Sequence, residues 1–210
     1  MILTPGGLVF DIGAHHGETA ARLLDELGAG HVVCVEPCLE NYLLLRERWK
    51  GDGRVTAIHA GVLAAPGFAK ISRAAQQDGL STMVPDRWSS LYPDAGYEEP
   101  ELVPVITLKM LMAKFGRPDY CKIDVEGCEE QVIQGFFEAQ QRPHVITFEF
   151  HGTRAQDAIN CIYMLRELGY EKALVDEQEP LLITVPTESI HDVLDRFRAA
   201  PPTWGNFTVM

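Results

Sequence analysis

Short apolar runs alternate with stretches of helical periodicity along the chain, and this alternation limits the fold more than any other feature. "GLVFDIG", "HVVCVEP", "VTAIHAGV", "DYCKIDVEG" and "HVITFEFHG" read as strands. "GETAARLLDELG", "LENYLLLRERWKG", "CEEQVIQGFFEAQ" and "AQDAINCIYMLRELGY" read as helices between them. "LVPVITLKMLMAKFG" reads as a short strand and then a helix, and "FAKIS" as a short edge strand. Strand–helix alternation predicts an α/β fold: a mostly parallel sheet with helices on both faces. Most of the strands are nearly all apolar, as strands buried on both faces should be. "KALVDE", "LLITVP", the helix "SIHDVLDRFRA" and "NFTVM" follow, with their pairing open. No linker or repeat interrupts the pattern, so residues 1–210 are expected to form one domain.

In open α/β sheets, ligands bind at the carboxyl ends of the strands. The first strand–helix turn is "DIGAHHGET", with Gly13 and Gly17 around Ala14 and His15 and with Asp11 ahead of them. Its G-x-x-x-G spacing is neither the G-x-G-x-x-G of dinucleotide binders nor a phosphate-binding P-loop. Strand 2 ends on Glu36 and Pro37, where such folds place an acid that accepts from ribose hydroxyls. A loop without the pyrophosphate fingerprint, followed by that acid, suits S-adenosyl-L-methionine, a ligand with a ribose and an adenine but no phosphate. Gly13 and Gly17 are expected to let the backbone approach the ligand closely, Asp11 to help hold the cofactor's amino-acid end or the loop itself, and Glu36 to hold the ribose. The bland reading has Asp11 only capping the loop and Glu36 solvated at a strand end.

"VFDIGAHHG", "VEP", "VITL", "KIDVEGCEEQVIQG" and "ITFEFHG", in this order from about residue 8 to residue 152, resemble the FkbM family of S-adenosyl-L-methionine-dependent methyltransferases. "KIDVEG" is the most specific segment. The resemblance implies the Rossmann-like class I methyltransferase fold, a seven-stranded sheet whose last strand is antiparallel. It also implies methyl transfer to a hydroxyl of a sugar, polyketide or other secondary metabolite, leaving S-adenosyl-L-homocysteine. Two positions depart from the family: His15 stands where Asn is usual, and Lys109 where Asp is usual after "TL". Ser81 and Thr82 resemble the family's serine-containing segment, which implies hydrogen bonds near the cofactor's carboxylate; local turn bonding is the plain alternative.

Methyl transfer to an alcohol needs an oriented acceptor and a base. Asp124 and Glu126 follow one strand, and Glu149 and His151 close the next, each pair spaced to share a face while the strand continues. Asp124 is placed nearest the methyl, as base or as acceptor-orienting group. His151 is the alternative base. Glu126 alternatively caps the next helix, and Lys122 pairs with one of the carboxylates. A structural ion-pair network is the competing reading of the whole group. Asp124, Glu126 and Glu149 would also suit a divalent metal, but no further ligand can be placed, so none is predicted. His15 and His16 are expected to pack against the cofactor rather than chelate an ion. Residues 73–101 are too long for a plain connector and are read as a lid or substrate wall, with Trp88, Tyr92 or Tyr97 stacking on the acceptor.

Composition narrows the partners. Acidic residues outnumber basic ones, 30 to 18, for a formal charge of −12. That argues against a nucleic-acid or anionic-membrane partner, and the family resemblance implies a small-molecule or carbohydrate acceptor. No basic leader is expected at "MILTPGG", and the five cysteines lack CxxC spacing. Reduced structural thiols in a cytoplasm follow as the expectation; a homodimer is compatible with it. Against the competing nicotinamide-dependent oxidoreductase stand the missing fingerprint and the lack of a Tyr-x-x-x-Lys pair. Against a non-catalytic cofactor-binding module stand the acids at 124, 126 and 149.

Overall fold

A computed structural model describes residues 5–76, 78–85, 89, 92–137, 139, 142–177 and 185–210. Trp88 and most of "LLITVP" lie outside the described residues. In chain order the elements are β1 (Leu8–Ile12), α1 (Glu18–Asp25), β2 (His31–Glu36), α2 (Leu39–Arg48), β3 (Val55–His59), β4 (Gly61–Val62), β5 (Gly67–Ile71) and β6 (Glu101–Ile106). They continue with α3 (Leu108–Phe115), β7 (Tyr120–Ile123), α4 (Glu129–Gln134), β8 (Val145–His151), α5 (Ala155–Glu167), β9 (Lys172–Asp176), β10 (Glu188–Ser189), α6 (Ile190–Ala199) and β11 (Trp204–Val209).

The main sheet has the order β10-β9-β11-β8-β7-β1-β2-β3. β3, β2, β1, β7 and β8 run parallel. β11 enters antiparallel between β8 and β9. The sheet is therefore eight-stranded and mixed, not the seven-stranded, mostly parallel sheet expected. The additional strand is β10, two residues antiparallel to the edge of β9. Ser189 then becomes the N-cap of α6, accepting from the His191 amide, so the pairing is a lead-in to a helix. Two polar residues carry no strand periodicity, and their sequence gave no sign of it.

"VTAIHAGV" is not one strand. It breaks at Ala60, and β4 leaves the main sheet to pair with β6 in a separate three-stranded sheet, order β4-β6-β5. The anticipated edge strand β5 lies in this second sheet. α3 shows how local sequence fixes an element. The Thr107 side chain accepts from the Met110 amide at its start, and Gly116 ends it with φ +98°. Lys109 is exposed on this helix.

The core lies on both faces of the sheet, as strands apolar on both sides require. Phe10 and Ile12 of β1 pack into a large cluster with Val33, Ile123, Phe148 and Phe207. Val9 faces the other way, with Leu23, Val32, Leu45 and Tyr120. Among the described residues no helix is long and apolar enough to cross a membrane.

Candidate active site

The strand ends surround a cavity of about 500 Å³, within the range of roughly 300–1,000 Å³ usual for small-molecule sites. Gly13, Ala14, His15, Glu36, Pro37, Ser81, Asp124 and Glu126 all line it. Residues far apart in sequence thus meet where the sheet order reverses direction from β1, the expected place for a ligand.

Glu36, at the end of β2, is 5% exposed. It accepts the His15 amide on Oε2 and the Cys38 amide on Oε1, each at 2.9 Å. Burial pushes its carboxyl up to about 7, with the Cys38 and His15 amides opposing. One side chain therefore ties the glycine loop to the start of α2. His15 adopts φ +49° to present its amide. Histidine, like asparagine, is among the residues enriched in this left-handed region, so the departure from the family's usual residue keeps the backbone shape.

The glycines act differently from the expectation. The space over Gly13 is filled by the neighbouring strand end rather than left clear for a ligand. A Cβ on Gly17 would meet Leu45 Cδ1 at 2.5 Å and Trp49 Nε1 at 2.7 Å. Trp49 donates to the Gly17 carbonyl at 3.2 Å. Both glycines seat the loop against protein.

Asp11 is fully buried and does not line the cavity. It pairs in register with Lys122 on β7, whose Nζ lies 4.0 Å from Asp11 Oδ1. Neither Asp11 oxygen has a hydrogen-bond partner among the described residues. Burial lifts its carboxyl to about 6, against the Lys122 ammonium. Asp11 therefore backs the site from within the sheet.

Lys122 Nζ lies 2.7 Å from Asp124 Oδ2. Burial pushes the Asp124 carboxyl up, but the charge and hydrogen bond of Lys122 outweigh it and hold the group below its ordinary value. Burial would lower the lysine, yet Asp124 and Asp11 hold it well above its usual range. Asp124 is a carboxylate at neutral pH and a weak base.

β7 ends at Ile123, so the strand does not continue through Asp124 and Glu126 as expected. The chain turns instead, with Glu126 at φ +52° and Gly127 at φ +102°. The N-cap position of the next helix is held by Cys128. Glu129 braces this turn, accepting the Val125 and Gly127 amides on Oε1 at 3.2 Å each. Burial raises Glu129 to about 7. Burial, then repulsion from Asp124 and Glu149, raises Glu126. The turn that places it is clasped by Thr82, whose hydroxyl donates to the Glu126 carbonyl at 2.6 Å. Thr82 is buried and structural, whereas Ser81 lines the cavity.

Glu149 and His151 share one face of β8, as their spacing predicts. His151 Nε2 lies 3.8 Å from Glu149 Oε2. Burial, then the Asp124 charge, raises the Glu149 carboxyl. Glu149 Oε1 accepts from the Trp204 indole of β11, a contact the open pairing of "NFTVM" had hidden. Tyr92 was expected to stack on an acceptor; its hydroxyl lies 3.3 Å from His151 Nδ1. Glu149 and His151 line a small recess behind the turn at 126–127 rather than the main cavity. His15, His16 and Glu18 also come together at the cavity rim, but Glu18 is engaged by Arg48 at 2.6 Å.

The sequence matches the methyltransferase FkbM domain over residues 11–172. The chain belongs to this family. The FkbM domain aligns with the solved FkbM methyltransferase of Methylobacillus flagellatus KT at TM-score 0.57 and 17% identity, over 99% of this chain and 44% of that one. It thus spans less than half the length of that relative. Fibrillarin of Aeropyrum pernix, solved with natively bound S-adenosyl-L-methionine, aligns at TM-score 0.52 and 14% identity, over 100% of this chain and 70% of that one. Methanococcus jannaschii fibrillarin, a pre-rRNA processing protein, aligns at 0.50 and 10%, over 100% and 68%. These likenesses establish the class I methyltransferase fold for the FkbM domain. No curated protein matches the sequence.

Proposed function

We propose that this FkbM domain is an S-adenosyl-L-methionine-dependent methyltransferase acting on a hydroxyl of a sugar, polyketide or other small metabolite. The observation that carries the reading is the convergence of Glu36, the backbone at 13–15 and Asp124 on one cavity. The residues fit the cofactor. Each Glu36 oxygen accepts one amide and keeps a lone pair for a ribose hydroxyl. Pro37, Val62, Ile71 and Met83 give the cavity an apolar part suited to a purine.

When bound, the cofactor supplies an electrophilic sulfonium methyl. The protein contributes position and charge. Asp124, ionised and braced by Lys122, orients the acceptor hydroxyl or the cofactor's ammonium group. The hydroxyl proton leaves towards Glu126, Glu149 and His151, which lie next to Asp124. Residues 73–101 serve as a lid, bringing Ser81 and Met83 to the cavity and Tyr92 to His151.

Incubation with methyl-labelled cofactor and a panel of hydroxylated acceptors tests this reading. Label transfer that Asp124→Asn abolishes without loss of cofactor binding supports it. Full turnover by that variant contradicts the role given to Asp124.

A further inference from the structure

We propose that Glu126, Glu149 and His151 form a binding site for a hard divalent cation where the cofactor cavity, lined by Glu126, meets the recess lined by Glu149 and His151. One ligating atom from each residue lies within 4.8 Å of the others. Ligand atoms about 2.1 Å from a shared ion lie about 3–4.2 Å apart, so small side-chain adjustments suffice. His151 Nε2 and Glu149 Oε2, 3.8 Å apart, are too distant for a hydrogen bond and already spaced as two ligands of one ion.

The outer contacts of these residues point the same way. Metal-binding side chains are usually oriented through their other polar atom. Glu149 Oε1 is held by the Trp204 indole, which leaves Oε2 facing His151. His151 Nδ1 is held by the Tyr92 hydroxyl, which leaves Nε2 facing Glu149. Glu126 is fixed from its backbone by Thr82. Of the neighbouring cations, Lys122 is engaged by Asp124 at 2.7 Å and faces Asp11 at 4.0 Å, and Arg154, which lines the same recess as Glu149 and His151, is paired with Asp157. Two carboxylates and an imidazole make a donor set for Mg²⁺ or Mn²⁺ rather than for a thiophilic metal. The second grouping, at His15, His16 and Glu18, is disfavoured by Arg48, which already neutralises Glu18.

The site deepens the proposed methyl transfer and rests on that reading for its role. A cation here would bind the acceptor oxygen and lower the hydroxyl pKa, acting as a Lewis acid. With the cation bound, these three residues are ligands rather than proton acceptors, and the hydroxyl proton passes to solvent water. The acceptor oxygen bonds the methyl carbon as the carbon–sulfur bond breaks to leave S-adenosyl-L-homocysteine, and neither cation nor ligands change oxidation state.

Mn²⁺ titration of the purified chain, without cofactor or acceptor, tests the site. Electron paramagnetic resonance should give one bound Mn²⁺ per chain. Glu149→Gln and Glu126→Gln should each weaken it at least tenfold, and Glu18→Gln should leave it unchanged. In the wild-type chain, which avoids dependence on variant folding, Mn²⁺ should broaden the Trp204 indole NMR signal more than that of Trp49, which lies against Gly17. No bound Mn²⁺, affinity unmoved by the two variants, or stronger broadening at Trp49 would each overturn the site. A parallel titration with S-adenosyl-L-homocysteine separates the two proposals: binding without Mn²⁺ uptake sinks the cation site alone.

Discussion

The carbonyl oxygen of Asp124 occupies the space where a side chain on residue 13 would begin. A Cβ built on Gly13 would lie 1.6 Å from it, and Gly13 has φ +80°. The turn that carries Asp124 and the loop that faces the cofactor cavity are therefore in backbone contact. Gly13→Ala would hold an alanine in the left-handed region, at about 1–2 kcal/mol, and would also push two backbones apart. A total loss of about 3 kcal/mol or more is expected, lowering Tm by about 6–12 °C. Thermal unfolding checks this, and cofactor affinity should fall with it.

Most of this architecture was legible from periodicity and from the order of the motifs. The parallel core and the meeting of "DIGAHHG", "VEP" and "KIDVEG" at one crevice follow from strand–helix alternation. What the glycines approach was not legible, because Cβ clearance depends on which strands become neighbours. The brace at Glu129 was hidden for a similar reason. A carboxylate that turns back to amides at 125 and 127 looks, in sequence, like any acid at a helix start. Trp204 at Glu149 and Tyr92 at His151 are long-range contacts that carry no local signal.

Glu36→Gln is expected to weaken S-adenosyl-L-homocysteine binding about 10- to 100-fold, the worth of a hydrogen bond to a charged group. The substitution also sets a side-chain donor against the amide of His15 or Cys38. Calorimetric titration measures the loss. Affinity within twofold of wild type would remove Glu36 from the cofactor site.

Stability of the unliganded chain should decline as pH rises from about 5 to 8. Glu36 and Glu129 are raised from 4.5 to about 7, and Asp11 from 3.8 to about 6. The folded state then binds more protons than the unfolded state, so stability falls with pH across that window. These contributions are complete below the ordinary carboxyl values and are lost as pH passes the folded values. Asp124 works in the opposite sense: its contribution is present above 3.8 and is lost as pH falls below it. Tm measured across this range should fall, and Glu36→Gln should flatten the decline.

Lys122→Met leaves Asp124 and Asp11 without the ammonium between them. Removing one partner of a buried pair costs about 3–5 kcal/mol. Chemical denaturation should show that loss. Adding Asp124→Asn to the variant should recover part of it, because one uncompensated charge is then gone. Independent effects of the two substitutions would show that the pair is not coupled.

Isothermal titration with S-adenosyl-L-methionine, S-adenosyl-L-homocysteine and NAD tests the central claim most directly. The account predicts one site per chain for the two sulfur compounds, weakened by Glu36→Gln, and no heat with NAD. Binding of NAD without a response to either sulfur compound would contradict it.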